Sequence, residues 1–351
     1  MFSSLPFGYM FLCVMGLGTL LSVSSIHWLG IWAGLEINLI GFLPMLVYQK
    51  SVSESESAVK YFIVQALGSS LLVFGSLVAF NMSFAWDAIS SMWMPMELGF
   101  IMIMVGLHTK LGLFPFHYWL PAVMAGLPWS SCLLLATWQK LAPLFLVLSL
   151  FELSESYLVG LILCLVSAGS SLIGGFGGMN QTQIRALLAY SSIGHLGWMV
   201  FASMQAEWVM KAYLSIYILI SLSIFLSLWY SDSGVMKHIN NLSSAGSLRL
   251  SVMLLLLSLG GLPPLLGFVS KWLVIMSVTI SPWLSFIFLL ILGSLMSLFY
   301  YLSLFFSMFL SSLKKDGMKM DYISNKSIIT INILNIFGGG LILMSGFLNS
   351  L

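Results

Sequence analysis

Apolar runs of about 20 residues recur along this chain, and a run of that length is what a helix needs to cross the hydrocarbon core of a bilayer. Cut at the polar connections between them, the sequence gives eleven segments, at about 5–24, 25–47, 59–81, 96–115, 123–146, 157–176, 182–203, 208–230, 248–272, 281–308 and 328–350. The runs are too long, and the polar/apolar alternation too weak, for a transmembrane β-barrel. The pattern predicts an all-α polytopic membrane protein of about eleven transmembrane helices.

Composition strengthens that reading. Hydrophobic residues make up 60% of the 351 and charged residues only 7%, against roughly 25% charged in a soluble domain. The net charge is +2 and the charges are scattered without a basic tail, so no nucleic-acid partner is expected. The N-terminal stretch MFSSLPFGYM has neither a basic n-region nor a small-residue cleavage site, so insertion without a signal or transit peptide is expected. Cys13, Cys132 and Cys164 lie singly in apolar runs, which argues against an iron–sulfur centre, a structural zinc or a disulfide framework.

The few charges also predict an orientation. With connections on alternate sides, one side receives Lys50, Arg185, Lys237, Arg249, Lys314, Lys315, Lys319 and Lys326. The other receives Asp87, Glu97, Glu152, Glu155 and Glu207, with Lys211 nearby. The positive-inside rule then puts the N-terminus inside and the C-terminus outside. The longest polar stretch, 311–327, reads as a solvated inside connection.

Two apolar segments are interrupted. The fourth ends in KLGLFP (110–115) and the ninth contains GLPPLLGFVSK (261–271). Pro263 and Pro264 each remove a backbone donor and clash with the preceding turn, while Gly260, Gly261 and Gly267 let the chain bend. If the chain is two five-helix halves, 1–146 and 157–308, plus a final helix at 328–350, each interruption falls in the fourth member of its half. Five is odd, so the halves are expected to be inverted relative to each other. Unwound backbone is tolerated at membrane depth only where it lines a cavity, so matched interruptions point to a transport site.

Ionisable residues sit inside these runs: Glu36, Lys110, Lys140 and His195, with Lys271 just beyond the second break and Lys60 near the start of the third segment. A charged group at the bilayer centre costs about 2.5–3.5 kcal/mol on insertion scales, so such groups face a bundle interior or a hydrated path. Each alone reads as well as a structural pair or a snorkelling side chain; Lys60 in particular suits the interface. Together they suit proton transfer. Burial disfavours the charged form of a lysine and a neighbouring carboxylate favours it again, so a lysine whose acidic partner changes can take up and release a proton. Glu36 is the acid deep in a span and Lys110 its expected partner. An imidazole titrates near neutrality, so His195 is either a relay or a satisfied packing residue. No GxGxxG, P-loop lysine, HExxH or paired-histidine haem arrangement occurs, and GGFGG at 174–178 reads as a close helix approach or a turn. No cofactor and no metal are expected to be bound by this chain.

The strings SSIHWLGIWAGLEINLIGFLP (24–44), AVKYFIVQA (58–66), KLGLFPFHYWLPAV (110–123), TWQKLAP (137–143), NQTQIRALLAYSSIGHLGWM (180–199) and GGLPPLLGFVSKW (260–272) run in order through most of the chain. They resemble the mitochondrially encoded subunit 2 family of NADH dehydrogenase, the antiporter-like membrane subunits of respiratory complex I. The broken-helix lysine alone is shared with subunits 4 and 5 and with multisubunit cation/proton antiporters. The resemblance implies two inverted five-helix bundles, with Glu36 and Lys110 as the paired acid and lysine, Lys140 as the central lysine, Lys271 as the lysine of the second broken helix and His195 on the hydrophilic axis. It implies an inner mitochondrial membrane location and partners among the other membrane-arm subunits, including subunit 4 and the small subunit 4L, with lipids such as cardiolipin. NADH, FMN, iron–sulfur clusters and ubiquinone are expected in other subunits, whose quinone reduction drives proton translocation here. Family members often read WVPEV where this chain has WLPAV, placing Ala122 at an acidic position, and RKILAYSS where it has RALLAYSS, with Ala186 in place of a lysine. Three readings stand at this stage: a proton-pumping subunit of complex I, a subunit of a cation/proton antiporter, and a membrane scaffold.

Overall fold

With no water in a bilayer core to satisfy N–H and C=O groups, long apolar sequences close their hydrogen bonds internally as helices. The computed structural model describes residues 7–47, 51–80, 94–154, 156–231, 246–278, 283–313, 335–336 and 338–340. Thirteen helices run in order through them: α1 Gly8–Ser24, α2 Trp28–Leu46, α3 Val52–Phe80, α4 Met94–Leu111, α5 Trp119–Gly126, α6 Trp129–Ala136, α7 Trp138–Ser154, α8 Tyr157–Gly178, α9 Ile184–Gln205, α10 Glu207–Ser231, α11 Gly246–Gly260, α12 Leu266–Val278 and α13 Leu284–Leu313. Among the described residues seven helices, counting Trp129–Leu153 as one, are by themselves long and apolar enough to cross a membrane. Serines inside the spans return their hydroxyls to the helix that carries them: Ser167, Ser170, Ser191 and Ser192 each donate to a carbonyl three residues back. That local bond lets a polar side chain sit at depth without a partner helix.

The chain forms two compact units, Met1–Ile162 and Leu163–Leu351. In the first, α1 packs along α2, α3 along α4, and α7 reaches both α1 and α4. The approach of α3 to α4 is close because a Cβ on Gly106 would meet the carbonyl oxygen of Gly68 at 2.9 Å. In the second unit α10 packs on α9, α11 and α12, and α11 lies along α13. The GGFGG run is the end of α8, where a Cβ on Gly174 would meet the backbone nitrogen of Gly194 at 2.6 Å and one on Gly175 the carbonyl oxygen of Gly293 at 2.7 Å. It serves close helix approach.

Both interruptions expected from the sequence are present. α4 ends at Leu111 and is followed by Gly112 at φ 74°; α11 ends at Gly260 and is followed by Gly261 at φ 83°. The N–H groups of Gly112 and Leu113 both reach the carbonyl of His108, at 3.0 and 3.1 Å, and those of Gly261 and Leu262 both reach the carbonyl of Leu257, at 3.1 and 3.3 Å. A left-handed glycine that folds two amides back on one carbonyl closes a helix end, and glycine reaches that conformation without steric cost. The two breaks therefore use one device, in register from Gly112 and Gly261 onward.

The first break moves the helix boundaries furthest from those expected of the sequence. The expected fourth segment stops at 115 and the fifth starts at 123, whereas the helix stops at Leu111 and resumes as Trp119–Gly126, the second half of the same broken element. A length rule based on apolar runs cannot see that residues 123–126 belong to the earlier helix. α3 begins at Val52, seven residues before the apolar run, because Ser51 accepts the N–H of Glu54 and starts the helix in polar sequence. The expected connection at 311–327 falls outside the described residues from 314 onward. Most of the expected final helix at 328–350 and the charges of Lys50 and Asp87 also lie outside them.

Candidate functional site

In the first unit α2 carries Glu36 and Asn38, α4 carries Lys110 two residues before the break, and α7 carries Gln139 and Lys140. Lys110 is buried, with 6% of its surface exposed, and its Nζ donates to Glu36 Oε1 at 3.4 Å. The Glu36 side chain keeps 25% of its surface exposed, so the pair is buried at the lysine and open at the acid. Lys140 is 3% exposed. Lys110 and Lys140 line one internal cavity that offers about 20 Å³ to water, which is room for about one molecule. Around the break the ends of α4 are held by side chains: Gln65 Nε2 donates to the carbonyl of Lys110 at 3.3 Å and Trp119 Nε1 to that of Thr109 at 3.1 Å.

The second unit places its lysine after the break instead of before it. Lys271, on α12, folds back so that its Nζ donates to the carbonyl of Gly260 at 2.9 Å, closing the C-terminal end of α11. Counted from the glycine of each break, Lys271 stands where the first unit has Ala122. His195, on α9, shares with Lys271 a second cavity of about 10 Å³ whose polar wall includes Ser191, Ser294 and Ser297. His195 Nδ1 lies 2.9 Å from the hydroxyl of Tyr213 on α10, and the Tyr217 ring packs beside it at a centroid distance of 5.3 Å.

The structure thus brings Glu36, Lys110 and Lys140 together in one unit and His195 and Lys271 together in the other. It does not bring Lys60 to either group. Lys60 lies on the outer face of α3 with 48% of its side chain exposed, and pairs with Glu56 one turn earlier at 2.6 Å. Three residues escape a reading based on ionisable groups: Asn38 and Gln139, whose amides join each other in the first cavity, and Tyr213. An amide inside an apolar run is the signal that marks the first two; a tyrosine in a span carries none, because aromatic residues also face lipid. Among the described residues no group of three or more His, Cys, Asp or Glu is placed to hold a metal.

Buried lysines set against matched helix breaks in an all-helical membrane fold define an antiporter-like membrane subunit. The sequence matches the family described as NADH:quinone oxidoreductase/Mrp antiporter, TM, over residues 25–299. It is 40% identical to NADH-ubiquinone oxidoreductase chain 2 of Anopheles gambiae over 95% of this chain and 96% of that one, and 34% identical to the same chain of Locusta migratoria over 97% and 96%. A chain of respiratory complex I from Thermus thermophilus, solved with bound aureothin, superposes with a TM-score of 0.81 at 26% identity, over 95% of this chain and 78% of its own length. The chain belongs to the NADH:quinone oxidoreductase/Mrp antiporter family and, within it, to the NADH-ubiquinone oxidoreductase chain 2 proteins.

Proposed function

We propose that this chain translocates protons across the inner mitochondrial membrane as a membrane-arm subunit of NADH:ubiquinone oxidoreductase, without redox chemistry of its own. The observation that carries the reading is the Glu36–Lys110 pair, whose lysine lines a water-sized cavity together with Lys140. While Glu36 faces Lys110 it offsets the ammonium charge. When Glu36 is neutralised or drawn away, an unshielded Lys110 disfavours a second charge across the same small cavity, where low dielectric strengthens the repulsion. Lys140 Nζ then gives its proton to a water taken up by that cavity, which has room for about one. Lys271 and His195 form the corresponding station of the second unit, passing a proton through their shared cavity, while the Gly260 carbonyl holds Lys271 Nζ in place.

In this reading the halves 1–146 and 157–308 are the two inverted bundles, with a helix at 328–350 after them. The N-terminus lies in the matrix and the C-terminus in the intermembrane space. The neighbours are other membrane-arm subunits, among them subunit 4 and the small subunit 4L, with cardiolipin at the lipid face. NADH, FMN, iron–sulfur clusters and ubiquinone belong to other subunits. Lys60, held by Glu56 on the outside of α3, is assigned no step. The family description also names Mrp antiporters, which favours as second reading a subunit of a cation/proton antiporter.

The test is NADH-driven proton uptake in reconstituted vesicles, normalised to assembled complex. Lys140→Met keeps length and apolar packing, so assembly survives and uptake falls; Lys140→Arg does not restore it, since a guanidinium keeps its proton. Normal uptake in the Met variant defeats the proton-site assignment. Recovery of the chain in a small complex that exchanges sodium for protons, instead of with NADH dehydrogenase activity, selects the antiporter reading.

A further inference from the structure

The first cavity has a second polar element besides its lysines. Asn38 Nδ2 donates to Gln139 Oε1 at 2.8 Å and Gln139 Nε2 donates back to Asn38 Oδ1 at 3.2 Å, joining α2 to α7 across 101 residues of sequence. Gln139 also donates to Met15 Sδ at 3.5 Å and receives the Tyr61 hydroxyl on Oε1 at 3.5 Å. A thioether sulfur only accepts, so Met15 assigns the nitrogen of Gln139 to its side and leaves the oxygen for Asn38 and Tyr61. Gln139 then has both N–H groups and its oxygen engaged by protein. Asn38, 4% exposed, keeps one N–H and one lone pair beyond the reciprocal pair, and it lines the cavity together with Lys110 and Lys140.

Burying two amides costs free energy unless they are bonded, so a reciprocal pair in an apolar bundle is an organised feature. Neutral amides do not carry a proton as a lysine does. What they do is orient. Gln139 directly precedes Lys140 and Asn38 lies two residues after Glu36, so one bond pair ties the helix of the acid to the helix of the central lysine. Asn38 thus brings an unspent N–H and lone pair to the lining of a cavity with room for about one water.

We propose that Asn38 and Gln139 form a positioning latch that ties α2 to α7 and so sets the position of a water held in the cavity that Lys110 and Lys140 line. The latch rests on the proton role proposed above for those lysines. It makes both amides positioning residues, not proton sites.

The test uses the assembled NADH dehydrogenase in vesicles and three variants: Asn38→Leu, Gln139→Met, and the double Asn38→Gln/Gln139→Asn, which exchanges the two amides and keeps their combined length. Each single variant is expected to assemble and to slow NADH-driven proton uptake by roughly tenfold to a hundredfold, the size seen when a reacting group is displaced by about 1 Å. The double is expected to recover most of the loss, which a role in packing alone does not predict for two side chains of changed size. Wild-type uptake in either assembled single variant overturns the latch. So does a double that pumps no better than the singles or fails to assemble. Where a single variant does not assemble, the double decides alone. Lys140→Met runs alongside: normal uptake there defeats the proton reading, whereas loss there with normal uptake in the amide variants defeats the latch only.

Discussion

The ammonium of Lys271 donates to the carbonyl of Gly260 at 2.9 Å, so the lysine of α12 closes the end of α11 across the break that separates them. A helix C-terminus carries partial negative charge on its unpaired carbonyls, and a cation placed there is favoured.

Replacing Lys271 by Met leaves that carbonyl without its donor, at a cost of about 1–3 kcal/mol. The complex is expected to assemble in reduced yield, with proton uptake lost. Lys271→Arg supplies a donor and a charge again, so yield recovers while uptake does not. Assembly on native gels and uptake in vesicles separate the two roles. Uptake restored by Arg contradicts a titrating role for Lys271.

The Glu36–Lys110 pair predicts an asymmetry between variants. Glu36→Gln leaves a buried lysine unbalanced, whereas Lys110→Met leaves an acid with 25% of its side chain exposed, so assembly suffers more in the first. The double Glu36→Gln/Lys110→Met removes both charges and is expected to assemble better than Glu36→Gln alone, because removing a buried ion pair whole costs less than breaking it. All three are expected to pump poorly. Equal assembly of the single and double variants contradicts the pairing.

Tyr213→Phe keeps the ring that packs against α9 and removes the hydroxyl 2.9 Å from His195 Nδ1. Loss of one such hydrogen bond is worth about 1 kcal/mol, or roughly fivefold. Assembly is expected to be normal and uptake reduced by that factor, since the bond biases which ring nitrogen carries the proton. Unchanged uptake shows that His195 works without the tyrosine.

Two glycines at the second break are expected to respond differently. Gly261→Ala forces an L residue to φ 83°, at about 1–2 kcal/mol, and brings a methyl to 2.9 Å from Lys271 Nζ. Gly267→Ala drives its Cβ into the Ser258 carbonyl, backbone against backbone, so α11 and α12 must part. The yield of assembled complex is expected to fall further for Gly267→Ala. The reverse order contradicts the close packing of the two half-helices.

Much of this protein is written locally in its chain. The length of an apolar run marks it as a candidate membrane helix, because the bilayer leaves the backbone no other way to satisfy itself. Gly112 and Gly261 mark where two helices stop, because the left-handed turn that ends them excludes most side chains. The cost of a charge at depth singles out Glu36, Lys110, Lys140, His195 and Lys271 without any coordinates. Pairing is a different matter. Glu36 and Lys110 are 74 residues apart, and Asn38 and Gln139 are 101 apart; their contacts depend on which helices pack together and at what rotation, which hydropathy does not encode. Lys60 shows the converse: near the start of its segment it suits a path or a snorkelling role alike, and the rotation of α3 turns it outward, to Glu56. The sequence by itself determined which residues are costly enough to need a partner. The tertiary structure alone decided which partner each one meets, because side-chain geometry across helices is set by close packing and not by the order of residues along any one of them.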